Sequence, residues 1–244
     1  MLKACLNGAR EPDAHPALPV SAEALAVDAA ACVAAGVQAL HVHPRGADGR
    51  ESLRASVIDA TVGVLHEAVP GVAIGVSTGA WIVPDPRERA AEVASWTAPD
   101  MASVNLSEEG HAEVMAALLA AGIGIEAGLS SVEDVARLRE SGFADHLVRV
   151  LVEPRDDDPA ATVRRAAEID AALDSDGIRV PRVHHGYGEA TWGVLSRAVG
   201  LGHGTRTGLE DTLTLPGGAT ARGNAELVAA AAAIAAGAPI AGGG

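Results

Sequence analysis

Lysine is almost absent from this chain. Of the 18 basic residues in 244, Lys3 is a lysine and all the others are arginines. An enzyme that works through a Schiff base needs a lysine amine, and here that amine would have to come from the start of the chain. The sequence therefore argues against a lysine-dependent aldolase and against a pyridoxal enzyme.

Cysteine and long apolar runs are also scarce. Cys5 and Cys32 stand alone without CxxC spacing, which excludes a disulfide framework and a thiolate zinc ribbon and predicts a reducing cytoplasm. No secretory signal precedes the charged residues near the start. The most apolar tract, 227–241, is short for a membrane span and contains Gly237 and Pro239, so we expect a buried helix followed by a glycine-rich end.

Positive charge is in deficit. The formal net charge is −14, and a field of that sign repels nucleic acid and anionic membranes, so neither is an expected partner. Hydrophobic residues make up 48% and charged residues 20% of the chain, which is ordinary for a globular protein and excludes disorder, collagen and coiled coil.

Short β-like segments alternate with longer segments of helical spacing along the whole chain. The strand candidates are 2–7, 37–43, 73–77, 101–106, 123–127, 147–153, 180–185 and 204–210. The helix candidates are 22–35, 53–68, 86–97, 109–121, 132–141, 160–173, 189–199 and 221–236. Eight such pairs predict one α/β domain over 1–244, a (β/α)8 TIM barrel, because a doubly wound sheet of this length has fewer strands. Ser131 and Pro159 are typical of helix starts.

The polar residues gather where the predicted strands end, and the chemistry of a barrel lies at that mouth. The stretch HVHPR places His41 and His43 two residues apart on a strand, so both rings point to the same side. They are either half of a metal site or two histidines bonded to carboxylates. Glu210, near the end of the eighth strand, is the best third ligand, with simple pairing to Arg206 as the alternative. Two histidines and a carboxylate suit a catalytic zinc ion, although other divalent metals also fit.

Arg206 and Asp211 flank Glu210. An arginine beside a carboxylate keeps the acid ionised and able to accept a proton, so this pair predicts proton abstraction next to a metal-bound carbonyl. Other strand ends offer groups that could hold a carboxylate or an oxyanion, although such residues are also ordinary turn formers. These candidates are Ser77, Thr78, Gly79, Asn105 and Ser107.

His184 and His185 raise the rival interpretation of a second metal site or a metal-dependent hydrolase. In metal-dependent amidohydrolases HxH normally ends the first barrel strand, whereas here it ends the second, so that pattern does not fit. Adjacent residues of a strand face opposite sides, and we therefore expect only one of the two histidines to reach the mouth.

Several motifs together resemble the β-keto acid cleavage enzyme family. They are NGA near the start, LPVS with its following helix, HVHPR with DGR, VSTGAW, IEAGLSSVEDV, and RTGLED followed by GGATARGNAELV. They appear in the family's order and with similar separations, and the resemblance covers nearly the whole chain.

The resemblance implies a zinc-dependent barrel that condenses a β-keto acid with acetyl-CoA and releases acetoacetate and a new acyl-CoA. Residue by residue, it implies His41, His43 and Glu210 as zinc ligands. It further implies Arg206 and Asp211 as the proton-abstracting pair, with Ser77 helping to position the keto acid. A homo-oligomer, dimer or tetramer, is also implied.

The sequence departs from the family after the first strand. Members with a cationic substrate carry a glutamate shortly after Gly-Ala, whereas here Arg10 comes first and Glu11 second, and either could face the pocket. An inward Arg10 would favour a neutral or acidic keto acid. Two other interpretations use the same residues: an aldolase or hydrolase that does not need CoA, and a barrel that has kept its ligands without catalysis.

Overall fold

Strand and helix alternate along the chain in the computed structural model, which describes residues 1–237. The strands are β1 (Leu2–Cys5), β2 (Ala39–Val42), β3 (Ala73–Ser77), β4 (Met101–Asn105), β5 (Gly124–Leu129), β6 (Leu147–Val152), β7 (Arg182–His184) and β8 (Gly204–Thr207). The helices are α1 (Ala22–Ala34), α2 (Ala55–Ala68), α3 (Pro86–Val93), α4 (His111–Ala120), α5 (Val132–Ser141), α6 (Pro159–Ser175), α7 (Thr191–Gly200) and α8 (Asn224–Ala235). Each strand pairs in parallel with the next, and β8 pairs with β1. The predicted (β/α)8 barrel is confirmed.

Two helix starts show why these segments are helical. Ser131 caps α5 in a capping box: its hydroxyl accepts from the backbone N–H of Asp134, and the Asp134 carboxylate accepts from the N–H of Ser131. Pro159 occupies the first turn of α6, where its missing N–H costs nothing, and Asp158 caps that helix. Both predicted helix starts are confirmed.

Most predicted strand boundaries are wrong by one to three residues, and two of these errors concern glutamates. β8 ends at Thr207, so Glu210 lies on the loop that follows rather than on the strand. β5 continues to Leu129, so Glu126 lies within the strand and not at its end. Glu126 is fully buried inside the barrel, where its carboxylate pairs with the Lys3 ammonium of β1 and lies 3.4 Å from Arg149. A buried charge is tolerated only when it is paired in this way.

The apolar core lies between the barrel and its ring of helices. Strand residues such as Leu40, Ile74 and Ile125 pack outward against helix residues such as Leu65 and Leu118, and all five are fully buried. The inward face of the strands carries buried charged side chains, among them Lys3, Glu126 and Arg206. This division leaves the mouth of the barrel free for charged side chains.

None of the helices in residues 1–237 is long and apolar enough to cross a membrane. The apolar tract predicted over 227–241 begins inside α8, with Leu227, Val228, Ala231 and Ile234 buried. Its last residues, from 238 onward, lie outside the part of the chain that the structure describes.

Candidate active site

Three predicted ligands converge at the mouth of the barrel. The Nε2 atoms of His41 and His43 are 3.1 Å apart, and Oε2 of Glu210 lies 3.9 and 3.7 Å from them. Three ligands of a tetrahedral zinc ion, with bonds of about 2.0–2.2 Å, lie about 3.3–3.6 Å from one another. Together with the two imidazoles and one carboxylate, this spacing suits a divalent ion with open coordination positions.

Neighbouring groups bind one atom of His43 and one of Glu210 and leave the other atom of each facing the three-ligand site. His43 uses Nδ1 to bind the carboxylate of Glu51, which leaves the lone pair of Nε2 facing the other ligands. Glu210 accepts from Arg206 through Oε1 (2.6 Å), while its Oε2 is buried without a hydrogen-bond partner. Burial, then Lys3 and His43, holds the pKa of His41 well below its usual range, so its imidazole is neutral. A bound metal ion would give a buried ligand atom of this kind the partner that it lacks.

The loop that carries Glu210 is held tightly against β1. Gly208 lies so close that a Cβ on it would come within 2.0 Å of the carbonyl oxygen of Cys5. Asn224, at the start of α8, accepts from the N–H of Leu209 (2.6 Å) and donates to the carbonyl of Leu6 (2.8 Å). These contacts, rather than strand pairing, fix the position of Glu210.

A buried chain of charged groups lies beside the three ligands. Arg206 donates to Oδ1 of Asp211 (2.8 Å), and Nδ1 of His185 lies 3.4 Å from the same oxygen. The other ring nitrogen of His185 bonds to Glu153 (2.9 Å). Burial would raise the pKa of Asp211, but Arg206 and His185 outweigh burial and lower it to about 2. Asp211 is therefore ionised at neutral pH.

A cavity of about 320 Å³ opens above the ligands. The residues that line it are Ala9, Arg10, His43, Trp81, Arg155, Tyr187 and Glu210. The structure thus decides between the two residues left open at the first loop: Arg10 lines the cavity, and Glu11 is exposed and does not line it. Arg10 also donates through Nε to the carbonyl of Leu209, on the loop that carries Glu210.

The remaining predicted substrate residues lie at strand ends but do not line this cavity. Ser77 is buried and accepts from the N–H of Gly79 (3.2 Å), and Thr78 donates to the carbonyl of Ser103 (2.8 Å). Asn105 donates to Glu108 (2.7 Å). Ser107 is exposed. Their roles in substrate binding stay predictions.

Sequence reasoning missed Glu51, Trp81 and Arg155 at this site. Glu51 reaches His43 because the Gly-Ala-Asp-Gly turn folds the chain back, with an antiparallel bridge between Arg45 and Glu51. That turn, followed by a carboxylate, was the available signal. Trp81 donates to Glu51 (3.0 Å) and stacks on the ring of His43. Arg155 had no comparable signal, because its position depends on the conformation of the loop after β6.

A second group of metal-ligand types, Asp170, His184 and His203, lies on the outer side of β7. The two oxygens of Asp170 already accept from Arg182 (3.0 Å) and Arg197 (2.6 Å). Two arginines beside one carboxylate disfavour a divalent cation, so we interpret this group as an ion-pair network. His184 faces outward and His185 faces the mouth, which confirms that only one of them reaches it.

A model of the beta-keto acid cleavage enzyme family matches residues 1–137 and 129–241 of the chain. Among solved structures, ObcA in a binary complex with oxaloacetate is 20% identical, with a TM-score of 0.71 over 91% of this chain. ObcA in a ternary complex with a C4-CoA adduct and oxalate is 20% identical, with a TM-score of 0.72 over 91% of this chain. This chain spans 65% of each ObcA chain.

Type I 3-dehydroquinate dehydratase from Clostridium difficile shares the fold at 10% identity, with a TM-score of 0.64 over 97% of this chain and 92% of that one. These likenesses agree with the barrel seen here. The two matches to the family model together cover all of the described residues. The chain is a member of the beta-keto acid cleavage enzyme family.

Proposed function

We propose that this protein uses acetyl-CoA to cleave a β-keto acid, giving acetoacetate and a new acyl-CoA. The observation that carries the proposal is the convergence of His41, His43 and Glu210 beside the ionised Asp211, in a chain of this family. ObcA, a structural neighbour, has been observed with oxaloacetate, which is a β-keto acid, and with a CoA adduct. Both kinds of ligand support the two proposed substrates.

His41, His43 and Glu210 would hold a zinc ion, and their donor set and spacing suit it. Bound zinc would act as a Lewis acid on a carbonyl group. Glu51 holds the ring of His43 in the orientation that zinc binding requires, and Arg206 holds Glu210 through Oε1, which leaves Oε2 for the metal.

Asp211 is the group that moves the proton. As an ionised carboxylate it accepts a proton from C2 of the keto acid, between the carboxylate and the ketone. The C2 carbanion forms a bond to the acetyl carbonyl and releases CoA thiolate, which then adds to the C3 carbonyl. The C2–C3 bond breaks, C3 leaves as the new thioester, and Asp211 returns its proton to C2 of acetoacetate.

Arg206 and His185 keep Asp211 in place during both transfers. Arg206 pairs with Asp211 on one side, and His185, held by Glu153, lies on the other. Ser77, at the end of β3, is proposed to help position the keto acid. We further propose that the chain acts as one domain, because β8 pairs with β1 and brings the two ends of the sequence to one site.

The test is to incubate the zinc-loaded protein with acetyl-CoA and a panel of β-keto acids, and to measure acetoacetate. We expect product from at least one acid. Asp211→Asn should abolish turnover while retaining bound zinc, since Asp211 is not a ligand. Turnover of a keto acid without any thioester would instead favour an aldolase or a hydrolase, and no product from any acid would contradict the proposal.

A further inference from the structure

One acid lies on the buried face of helix α1. Asp28 is three residues after Leu25 and four residues before Cys32, and both of those side chains are buried. Residues at these spacings share one side of a helix, so the Asp28 carboxylate points toward the interior. Among residues 1–237 it forms no ion pair, and its one hydrogen-bond donor is Nδ2 of Asn224 at the start of α8 (2.6 Å).

The side-chain amide of Asn224 is fully buried, and each of its hydrogen-bonding groups has a partner. Its two N–H groups donate to Oδ2 of Asp28 and to the carbonyl of Leu6 (2.8 Å), and its oxygen accepts from the N–H of Leu209 (2.6 Å). An amide turned by 180° would face the N–H of Leu209 with its NH₂ group and the two acceptors with its oxygen. One orientation of the amide therefore satisfies all of these groups, and Asp28 is one of the two acceptors that select it.

The amide of Asn224 lies directly behind the proposed zinc ligand in the chain. Leu209 precedes Glu210, and both backbone polar groups of Leu209 are held: its N–H by Asn224 and its carbonyl by Nε of Arg10. Glu210 and Asp211 follow at once. A shift of Asn224 would therefore move the proposed zinc ligand and the proposed proton acceptor together.

The acid at position 28 costs stability. Burial raises the pKa of Asp28 from 3.8 to about 6, so at neutral pH the folded protein holds a carboxylate in an unfavourable environment. Alanine, the residue that surrounds it in α1, is also a better helix former. A residue that breaks these local preferences is explained by a role in the site, and the contact with Asn224 supplies that role.

We propose that Asp28 is a positioning residue of the active site. From α1 it fixes the amide of Asn224, and through that amide it fixes the loop that carries Glu210 and Asp211. The inference rests on the proposed function, because the zinc ligand Glu210 is the residue whose position it explains.

The first test is the zinc affinity of Asp28→Ala, measured by competition with a chromophoric chelator. The substitution leaves a buried N–H of Asn224 without an acceptor. We expect zinc binding to weaken about tenfold, since a hydrogen bond to a charged group accounts for a factor of roughly that size. Asp28→Asn keeps one acceptor oxygen and should bind zinc more tightly than Asp28→Ala.

The matched control is Asp59→Ala. Asp59 lies on α2, and its carboxylate accepts from the N–H (3.0 Å) and hydroxyl (2.8 Å) of Thr97 and from the N–H of Ala98 (3.0 Å). It also holds a loop, but that loop precedes β4 and lies at the end of the barrel opposite the mouth. Asp59→Ala should lower stability in urea and leave zinc affinity unchanged. Equal losses of zinc affinity in Asp59→Ala and Asp28→Ala would overturn the proposal.

An exchange of the two contacting residues tests the contact itself. Asn224→Asp places two carboxylates against each other and should weaken zinc binding. Adding Asp28→Asn gives position 28 an amide that can donate to the carboxylate at position 224, so the double variant should bind zinc more tightly than Asn224→Asp. A double variant that binds no better than Asn224→Asp, or an Asp28→Ala variant with wild-type affinity, would refute the role of Asp28.

If the wild type binds no zinc, the proposed function fails, and hydrogen exchange then tests the role of Asp28 separately. The N–H of Leu209 should exchange about tenfold faster in Asp28→Ala than in the wild type, relative to the strand amides that report global unfolding. Asp59→Ala should leave this ratio unchanged. Wild-type exchange at Leu209 in Asp28→Ala would show that Asp28 does not hold the loop.

Discussion

Glu51 offers a test of the metal centre that leaves all three ligands in place. Its side chain is only 14% exposed, and its two oxygens accept from two donors, Nδ1 of His43 and Nε1 of Trp81. The glutamine of Glu51→Gln has one acceptor oxygen and one NH₂ group. Its oxygen can therefore accept from one of the two donors. Its NH₂ group then faces the other donor, and that donor is left without an acceptor.

The size of the effect follows from that loss. Carboxylates that orient a metal-bound histidine account for about 10- to 100-fold in metal affinity. We therefore expect Glu51→Gln to weaken zinc binding by a factor in this range, which corresponds to about 1.4–2.7 kcal/mol. The assay is a competition titration of the purified protein against a chromophoric chelator.

The control for that titration is Glu140→Gln, the same change at a glutamate whose side chain is 72% exposed and far from the ligands in the sequence. It should bind zinc like the wild type. Wild-type affinity in Glu51→Gln would refute the idea that this carboxylate orients His43.

Three further predictions concern the surroundings of the site. His185→Asn keeps an amide donor near the position of Nδ1, which faces Asp211, and His185→Gln keeps one near the position of Nε2, which faces Glu153. Because Asp211 is proposed to move the proton, the asparagine variant should retain a kcat about tenfold higher than the glutamine variant. Equal losses of kcat in the two variants would contradict this prediction. Gly208→Ala should abolish zinc binding, because its Cβ would lie 2.0 Å from a carbonyl oxygen of β1. The control is Gly63→Ala in α2, where an added Cβ would have no atom within 4 Å; this variant should keep zinc and be more stable by about 0.5–1 kcal/mol. Metal content and urea unfolding are measured for both variants. Retained zinc in Gly208→Ala would contradict the steric argument. Burial raises the pKa of Asp28 from 3.8 to about 6, so the wild type should lose stability as the pH rises between these values. In urea unfolding, Asp28→Asn should be more stable than the wild type by roughly 1–3 kcal/mol at pH 8 and by little at pH 4. An equal gain in stability at both pH values would contradict this prediction.

The fold was predictable because its signals are local. Each strand is a short apolar run and each helix follows it with its own spacing, so eight repeats of the pattern predict the barrel. The end of β8 was not predictable in the same way. Glu210 lies on a loop because Gly208 and Asn224 hold that loop against β1, and these contacts join residues far apart in the sequence.

The candidate site was predictable where one strand or one motif carries it. His41 lies on β2 and His43 directly follows it, so their side chains point to the same side as the alternation along a strand predicts, and the structure brings Glu210 to them. Arg155 and Tyr187 belong to two different loops, and only the folded chain shows that they meet. The contact between these two side chains is therefore a finding of the structure.

The central claim is most directly tested by following the acetyl group of acetyl-CoA. Zinc-loaded protein would be incubated with a β-keto acid and acetyl-CoA labelled with ¹³C in both acetyl carbons, and the products would be analysed by NMR. The account predicts acetoacetate labelled at C3 and C4, an unlabelled new acyl-CoA, and loss of both products in Asp211→Asn. Acetoacetate without label, or cleavage of the keto acid with the label left in acetyl-CoA, would contradict it.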